Sequence, residues 1–139
     1  MRSTDERGSV SLVALAMATS LILCAGLVLD GGHVLAARRA AISIASQAAR
    51  AGAQELDIDT LRLTGTFHLD PRRAAAAAEA FLATADKPGQ VTVHLDEVHV
   101  VVHDHQALHI LGIAGLGDVQ VTGRASARVV HGISAAEPG

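Results

Sequence analysis

The sequence predicts an α+β protein, in which a long N-terminal helix precedes a small helix and a three-stranded antiparallel sheet. An uncharged apolar run is followed by an alanine-rich run with helical spacing, and after residue 90 the hydrophobic period changes to two. The predicted segments are a short tail at 1–8, a transmembrane helix at 9–29, an Ala-rich stem helix at 30–56, a small extracytoplasmic α+β module at 57–131 and a flexible tail at 132–139.

Composition limits what this chain can do. It has 139 residues, enough for one small domain, and half are hydrophobic, but the aromatic residues are two phenylalanines and many of the others are alanines. Because alanine buries little apolar area, the module is expected to have a thin core. The net charge of −3 and the lack of stacking aromatics argue against nucleic-acid binding. The single cysteine, Cys24, cannot form an internal disulfide.

The run from Ser9 to Leu29 contains 21 residues and no charge. As a helix it spans about 31 Å, which is the thickness of one hydrocarbon core. A buried helix of a soluble protein is disfavoured, because the rest of the chain is too small to surround a helix that is apolar on every side. The alternative is a secretory signal peptide cut after Ala25 or Gly26, although the apolar regions of signal peptides are usually shorter.

The charges flanking this run do not decide its orientation. Arg2 and Arg7 precede it, and Arg38 and Arg39 follow it, so the positive-inside rule favours neither direction. We favour a cell-membrane protein with its C-terminal module outside, because that part is long, strand-rich and polar on one face.

Asp30, Gly31 and Gly32 mark the change from the apolar run to the stem. Either the glycines break the helix and Asp30 caps a new one, or a continuous or bent helix passes through them, which we favour. Four alanines then recur at steps of four, at Ala37, Ala41, Ala45 and Ala49. This small-residue face suits packing against copies of the chain, giving a homo-oligomer, or against the chain's own sheet, and both alternatives stay open.

The module begins with a helix and continues as strands. Asp70 is an N-cap and Pro71 a first helical residue, which predicts a helix to about Ala85. Alternating valines predict three half-buried strands at 91–95, 98–103 and 119–129. Asp96-Glu97 is the predicted turn between the first two strands, and the apolar segment 107–117 is predicted to form a short helix or loop on the sheet edge.

Five histidines fall within sixteen residues, at His94, His99, His103, His105 and His109. A turn at Asp96-Glu97 would place His94 opposite His99, and such a pair can bind Zn²⁺ if a carboxylate such as Asp104 lies nearby. Solvent-facing strand positions accept histidine equally well, and no cysteine ligand or helical His-x-x-x-His accompanies them. G-x-S-x-G, G-x-G-x-x-G and P-loop motifs are absent, so we predict no enzyme and assign no catalytic, cofactor-binding or metal residue.

Several stretches together resemble one family. "RGSVSLVALAMATSLILCAGLVLDGGHVLAARRAAISIASQAARAGAQEL", from Arg7 to Leu56, resembles the N-terminal part of TadE/TadG-like proteins of Flp (Tad) pilus assembly. The shared features are Arg-Gly-Ser, a transmembrane helix, an aliphatic-Asp-Gly-Gly junction and an Ala-rich stem ending near Ala-Gly-Ala. The later stretches "LDPRRAAAAAEAFLATA", "VTVHLDEVHVVVH" and "LHILGIAGLGDVQVTGRASARVVHG" look like the actinobacterial TadG-related branch.

The resemblance implies a single-pass, pseudopilin-like, non-catalytic component that helps to build or anchor a pilus or related secretion device. Its partners would be the lipid bilayer and other assembly subunits. Prepilin-type processing cuts after a glycine and usually needs a glutamate five residues later, but here Val13 is the fifth residue after Gly8, so we expect the N-terminus to remain.

The sequence leaves two rival classes of protein. The first is a membrane-anchored binding module that uses the histidine-bearing strands for a metal or ligand. The second is a small secreted enzyme released by signal cleavage, which the lack of a catalytic set disfavours.

Overall fold

A computed structural model describes residues 5–113 and 115–129, with side chains from Ser9 onward. Residues 1–4 of the predicted N-terminal tail, and the whole predicted tail at 132–139, lie outside the described residues. The elements are α1 (Asp5–Ala53), α2 (Ile58–Thr64), α3 (Pro71–Thr84), β1 (Gly89–His94), β2 (Glu97–Gln106), α4 (Ile110–Ile113) and β3 (Val119–Arg128). A long apolar helix followed by small helices and an antiparallel sheet confirms the predicted α+β class.

The chain divides into two compact units. The first combines the chain up to Ala36 with the segment His105–Val119, and the second combines Ala37–Asp104 with the chain from Gln120 onward. The first part of α1 therefore belongs to one unit and its last part to the other.

Helix α1 is continuous over 49 residues, about 74 Å, and passes through Gly31 and Gly32 without a break. Each glycine costs about 1 kcal/mol relative to alanine in a helix interior. That cost is too small to end a helix when strong helix formers such as alanine and leucine flank the pair on both sides. The continuous helix, the favoured alternative, is confirmed.

The stem part of α1 buries its small-residue face within the second unit. Ala41, Ala45 and Ala49 are fully buried, in one core with the β2 valines and the α3 alanines. A Cβ added at Gly123 would lie 2.5 Å from the Ala41 carbonyl oxygen, so β3 packs directly on the α1 backbone. The chain's own module therefore covers these three alanines, which favours packing on the sheet, and a homo-oligomer through this face gains no support.

The sheet has the order β1-β2-β3, with β1 and β2 antiparallel. The alternation in β2 is confirmed, because Val98, Val100 and Val102 are buried. The predicted turn was wrong by one residue: the chain turns at Leu95 and Asp96. Leu95 has a φ of +51° and is 92% exposed. Because Leu95 belongs to the tight turn and not to the strand, its side chain lies in solvent and not in the core.

The start of α3 is confirmed, because the Asp70 carboxylate accepts hydrogen bonds from the backbone N–H groups of Arg72 and Arg73. Helix α2 was not predicted. The Asp57 carboxylate caps it by accepting from the backbone N–H and the hydroxyl of Thr60. The hydroxyl bond is the main reason why the pKa of Asp57 lies below its usual value.

The segment 107–117 was predicted to lie on the sheet edge. It does contain a short helix, α4, but the contacts described for that helix are with α1, within the first unit. The sequence shows that the segment is apolar and interrupted by glycines. It does not show which residue accepts hydrogen bonds from the backbone N–H groups of the segment.

Candidate functional site

The first candidate site is the apolar part of α1, residues 9–29. Its large side chains are exposed along the whole run, and α1 is the one helix in the described part of the chain that is long and apolar enough to cross a membrane. The mean hydropathy of its most apolar window is 2.5. A continuous apolar surface of this size is unfavourable in water and favourable in lipid.

Two polar side chains in the middle of this run are compatible with lipid. The Thr19 hydroxyl donates to the Leu15 carbonyl at 2.9 Å, and the Ser20 hydroxyl donates to the Ala16 carbonyl at 2.8 Å. Because these hydroxyls are paired within their own helix, they present no unsatisfied donor to hydrocarbon. The sequence-based expectation of a helix able to span a bilayer is confirmed.

The second candidate site is the Asp30 junction, where the apolar run ends. Asp30 is 1% exposed, and its carboxylate accepts three backbone N–H bonds from His109 (3.0 Å), Ile110 (3.0 Å) and Leu111 (2.7 Å). These N–H groups begin α4 and have no partner within so short a helix. An ionised carboxylate at the positive end of a helix makes stronger hydrogen bonds than a neutral acceptor.

Gly26, one turn before Asp30, lets the α4 segment approach α1. A Cβ at Gly26 would lie 2.6 Å from Ile110 Cγ2, so a larger residue would push this isoleucine away. On the other side of the junction the rings of His33 and His109 meet edge to face, with centroids 5.6 Å apart. The sequence suggests Asp30 as the end of the apolar run or as a cap for the helix that follows it, and does not indicate that Asp30 caps a helix about 80 residues later.

The strand histidines form the third candidate site. His99 lies opposite Thr92, not His94, because of the shifted turn, yet the His94 and His99 rings are still 6.1 Å apart on the diagonal. His99 Nε2 lies 3.6 Å from a Glu97 carboxylate oxygen. The pKa of Glu97 is lowered mainly by a hydrogen bond from Ser126, with smaller contributions from the charges of His99 and Arg128.

The expected carboxylate of this site is used elsewhere. Asp104 accepts a hydrogen bond from Lys87 Nζ at 2.8 Å. Among residues 5–113 and 115–129, no group of three or more His, Cys, Asp or Glu side chains is placed to hold a metal ion. An open cavity of about 310 Å³ lies beside the β1–β2 turn and is lined in part by His94, Glu97 and Arg128.

These features define a class: a small protein in which one helix able to cross a membrane continues into an α+β module. Residues 8–55 match the family described as putative Flp pilus-assembly TadE/G-like, which confirms the resemblance over the apolar run and the stem. Comparisons with curated proteins and with solved structures each found no match. The likeness of the later stretches to the actinobacterial branch falls outside the matched residues and stays a prediction.

Proposed function

We propose that this chain is a single-pass, pseudopilin-like membrane component of Flp/Tad-type pilus assembly or of a related secretion system, and that it acts without catalysis. The observation that carries the proposal is that the family match at 8–55 contains the whole lipid-compatible run at 9–29. Pilus-assembly subunits and the bilayer are then its partners.

In this proposal α1 crosses the bilayer with residues 9–29 and leaves it at Asp30, and the second unit is outside the cell membrane. The alanine face has its partners within the chain, so contacts with other subunits fall on exposed surfaces of the module. The N-terminus is retained, because Val13 replaces the glutamate that prepilin processing usually needs.

The test is intact-mass and fractionation analysis of the natively expressed protein, with protease shaving of whole cells. A full-length, membrane-bound chain that loses residues beyond about 57 on shaving supports the proposal. A chain beginning at Ser9 would instead indicate prepilin-type processing, and a soluble chain beginning near Gly26 would contradict membrane anchoring. A deletion strain should also lose surface pili or secretion, and the intact gene should restore them.

A second candidate is a membrane-anchored binding module, and the His94–His99 ring pair beside the turn cavity favours it. Calorimetry of the full chain in detergent with Zn²⁺ distinguishes the two. An assembly component gives no stoichiometric heat. Stoichiometric heat that disappears in a His94→Ala/His99→Ala double variant would support metal binding.

A further inference from the structure

We propose that the α4 loop, defined as residues 107–113 and 115–117, is a membrane-surface anchor that inserts Ile113 and Leu116 into lipid where α1 leaves the bilayer. This inference rests on the proposed membrane-spanning role of α1. It assigns a lipid contact to a segment far along the chain from the apolar run and outside the residues of the family match.

The α4 loop has the composition of a lipid-facing segment. From Ala107 to Gly117 the sequence contains no charged residue, and His109 is its one polar side chain. Ile113 is 90% exposed and Leu116 is 55% exposed, so two large aliphatic side chains three residues apart have little cover within the chain. Removing such side chains from water is favourable, and a bilayer surface is the apolar medium that the chain already enters nearby.

Contacts with α1 set the depth of this loop. Ile110 packs against Gly26, and Gly26 precedes the last apolar residue, Leu29, by three positions, about 4.5 Å along the helix. Asp30 holds the loop's backbone one residue after that boundary. The α4 loop is thus attached across the last turn of the apolar run, at the level of the hydrocarbon edge.

Several backbone N–H groups of the loop have hydrogen-bond partners, which suits a position at the membrane surface. Non-helical backbone at membrane depth is tolerated only where its polar groups have partners. Asp30 accepts the N–H groups of His109, Ile110 and Leu111. The Gly115 N–H donates to the Gly112 carbonyl at 3.1 Å, and the Leu116 N–H donates to the Leu111 carbonyl at 3.1 Å. These bonds lower the cost of placing the loop in the interface, about 5–10 Å deep as for other interfacial segments.

The experiment places a fluorophore at single cysteines of the full chain in liposomes. Ile113→Cys and Leu116→Cys are made in a Cys24→Ser background. Leu95→Cys is the control, because Leu95 is as exposed as Ile113 and lies in the β1–β2 turn of the other unit. Natural Cys24, labelled in the otherwise unchanged chain, reports on the spanning helix. Lipids with a spin-label quencher near the headgroup or near the chain end report on depth.

We expect blue-shifted emission at positions 113 and 116, with stronger quenching by the shallow quencher than by the deep one, and no quenching above background at position 95. Adding Asp30→Ala should remove most of the quenching at 113 and 116 and leave that at Cys24 unchanged. Quenching at Cys24, with none above the control at 113 and 116, would overturn the lipid contact and leave the spanning helix intact. No quenching at Cys24 would contradict the proposed function itself.

Discussion

The close approach of β3 to α1 gives a sharp test of the second unit. A Cβ at Gly123 would lie 2.5 Å from the Ala41 carbonyl oxygen, whereas real Cβ atoms essentially never approach closer than 3.0 Å. Gly123→Ala must therefore move strand and helix apart by at least about 0.5 Å, and a gap of that size loses roughly a quarter of the dispersion energy of each contact along the interface. Because the obstacle is backbone, no side-chain rotation relieves it.

We expect Gly123→Ala to lower the free energy of unfolding of the second unit by about 1–3 kcal/mol, the usual cost of overpacking. The unfolding equilibrium then shifts roughly 5- to 150-fold. Alanine also restricts the unfolded chain, which opposes this by about 0.4–1 kcal/mol, so the packing effect prevails.

The measurement is pulse proteolysis of the full chain in detergent across a urea series, which reports the unfolded fraction without aromatic fluorescence. Gly117→Ala, in the first unit, is the control for an added Cβ without a packing conflict, because a Cβ there meets nothing within 4 Å. Its urea midpoint should be unchanged or slightly higher. Equal midpoints for Gly123→Ala and Gly117→Ala would refute the direct packing of β3 on the α1 backbone.

Three further predictions follow from the caps and the glycine pair. Replacing both Gly31 and Gly32 by alanine should stabilise α1 by about 1–2 kcal/mol, which slower hydrogen exchange of the amides around the pair would show. Loss of assembly in that variant would instead indicate that the helix must bend at these glycines. Asp70→Ala should lower the free energy of unfolding by about 0.5–2 kcal/mol in the urea series while Asp70→Ser retains most of it, and equal losses would exclude capping as the cause. Because the pKa of Asp57 is lowered in the folded chain, its contribution to stability is present above its ordinary pKa and is lost as pH falls through the folded value. Asp57→Asn should therefore weaken the acid dependence of unfolding between those two values, and an unchanged acid titration would contradict this linkage.

The predictable parts of the fold are those encoded by local pattern. Asp70 is an N-cap next to the helix that it begins. The alternation of Val98, Val100 and Val102 indicates a strand with one buried face. In the sequence, Leu95 continues the alternation of Val91 and Val93, so the pattern alone places the turn one residue late. In the structure Leu95 is part of the β1–β2 turn, with a positive φ and its side chain in solvent.

The parts that the sequence did not reveal depend on long-range partners. The Asp30 cap of α4 joins residues 79 to 81 positions apart, and nothing beside Asp30 indicates which amides it receives. The alanine face likewise has the same appearance whether it packs on a copy or on its own sheet. Gly123 is the residue that indicates packing on the chain's own sheet, because a glycine on the inward side of a strand marks the close approach of another backbone.

The most direct measurement of the central claim uses a membrane-impermeant maleimide on whole cells. Natural Cys24 lies in the apolar run, and Thr92→Cys, in a Cys24→Ser background, adds a thiol at an exposed position of β1. A single-pass protein with its module outside predicts that Thr92→Cys is labelled on intact cells, and that Cys24 is labelled only after detergent dissolves the membrane. Labelling of Cys24 on intact cells would contradict a membrane-buried apolar run, and labelling of Thr92→Cys only after lysis would contradict a module outside the cell membrane.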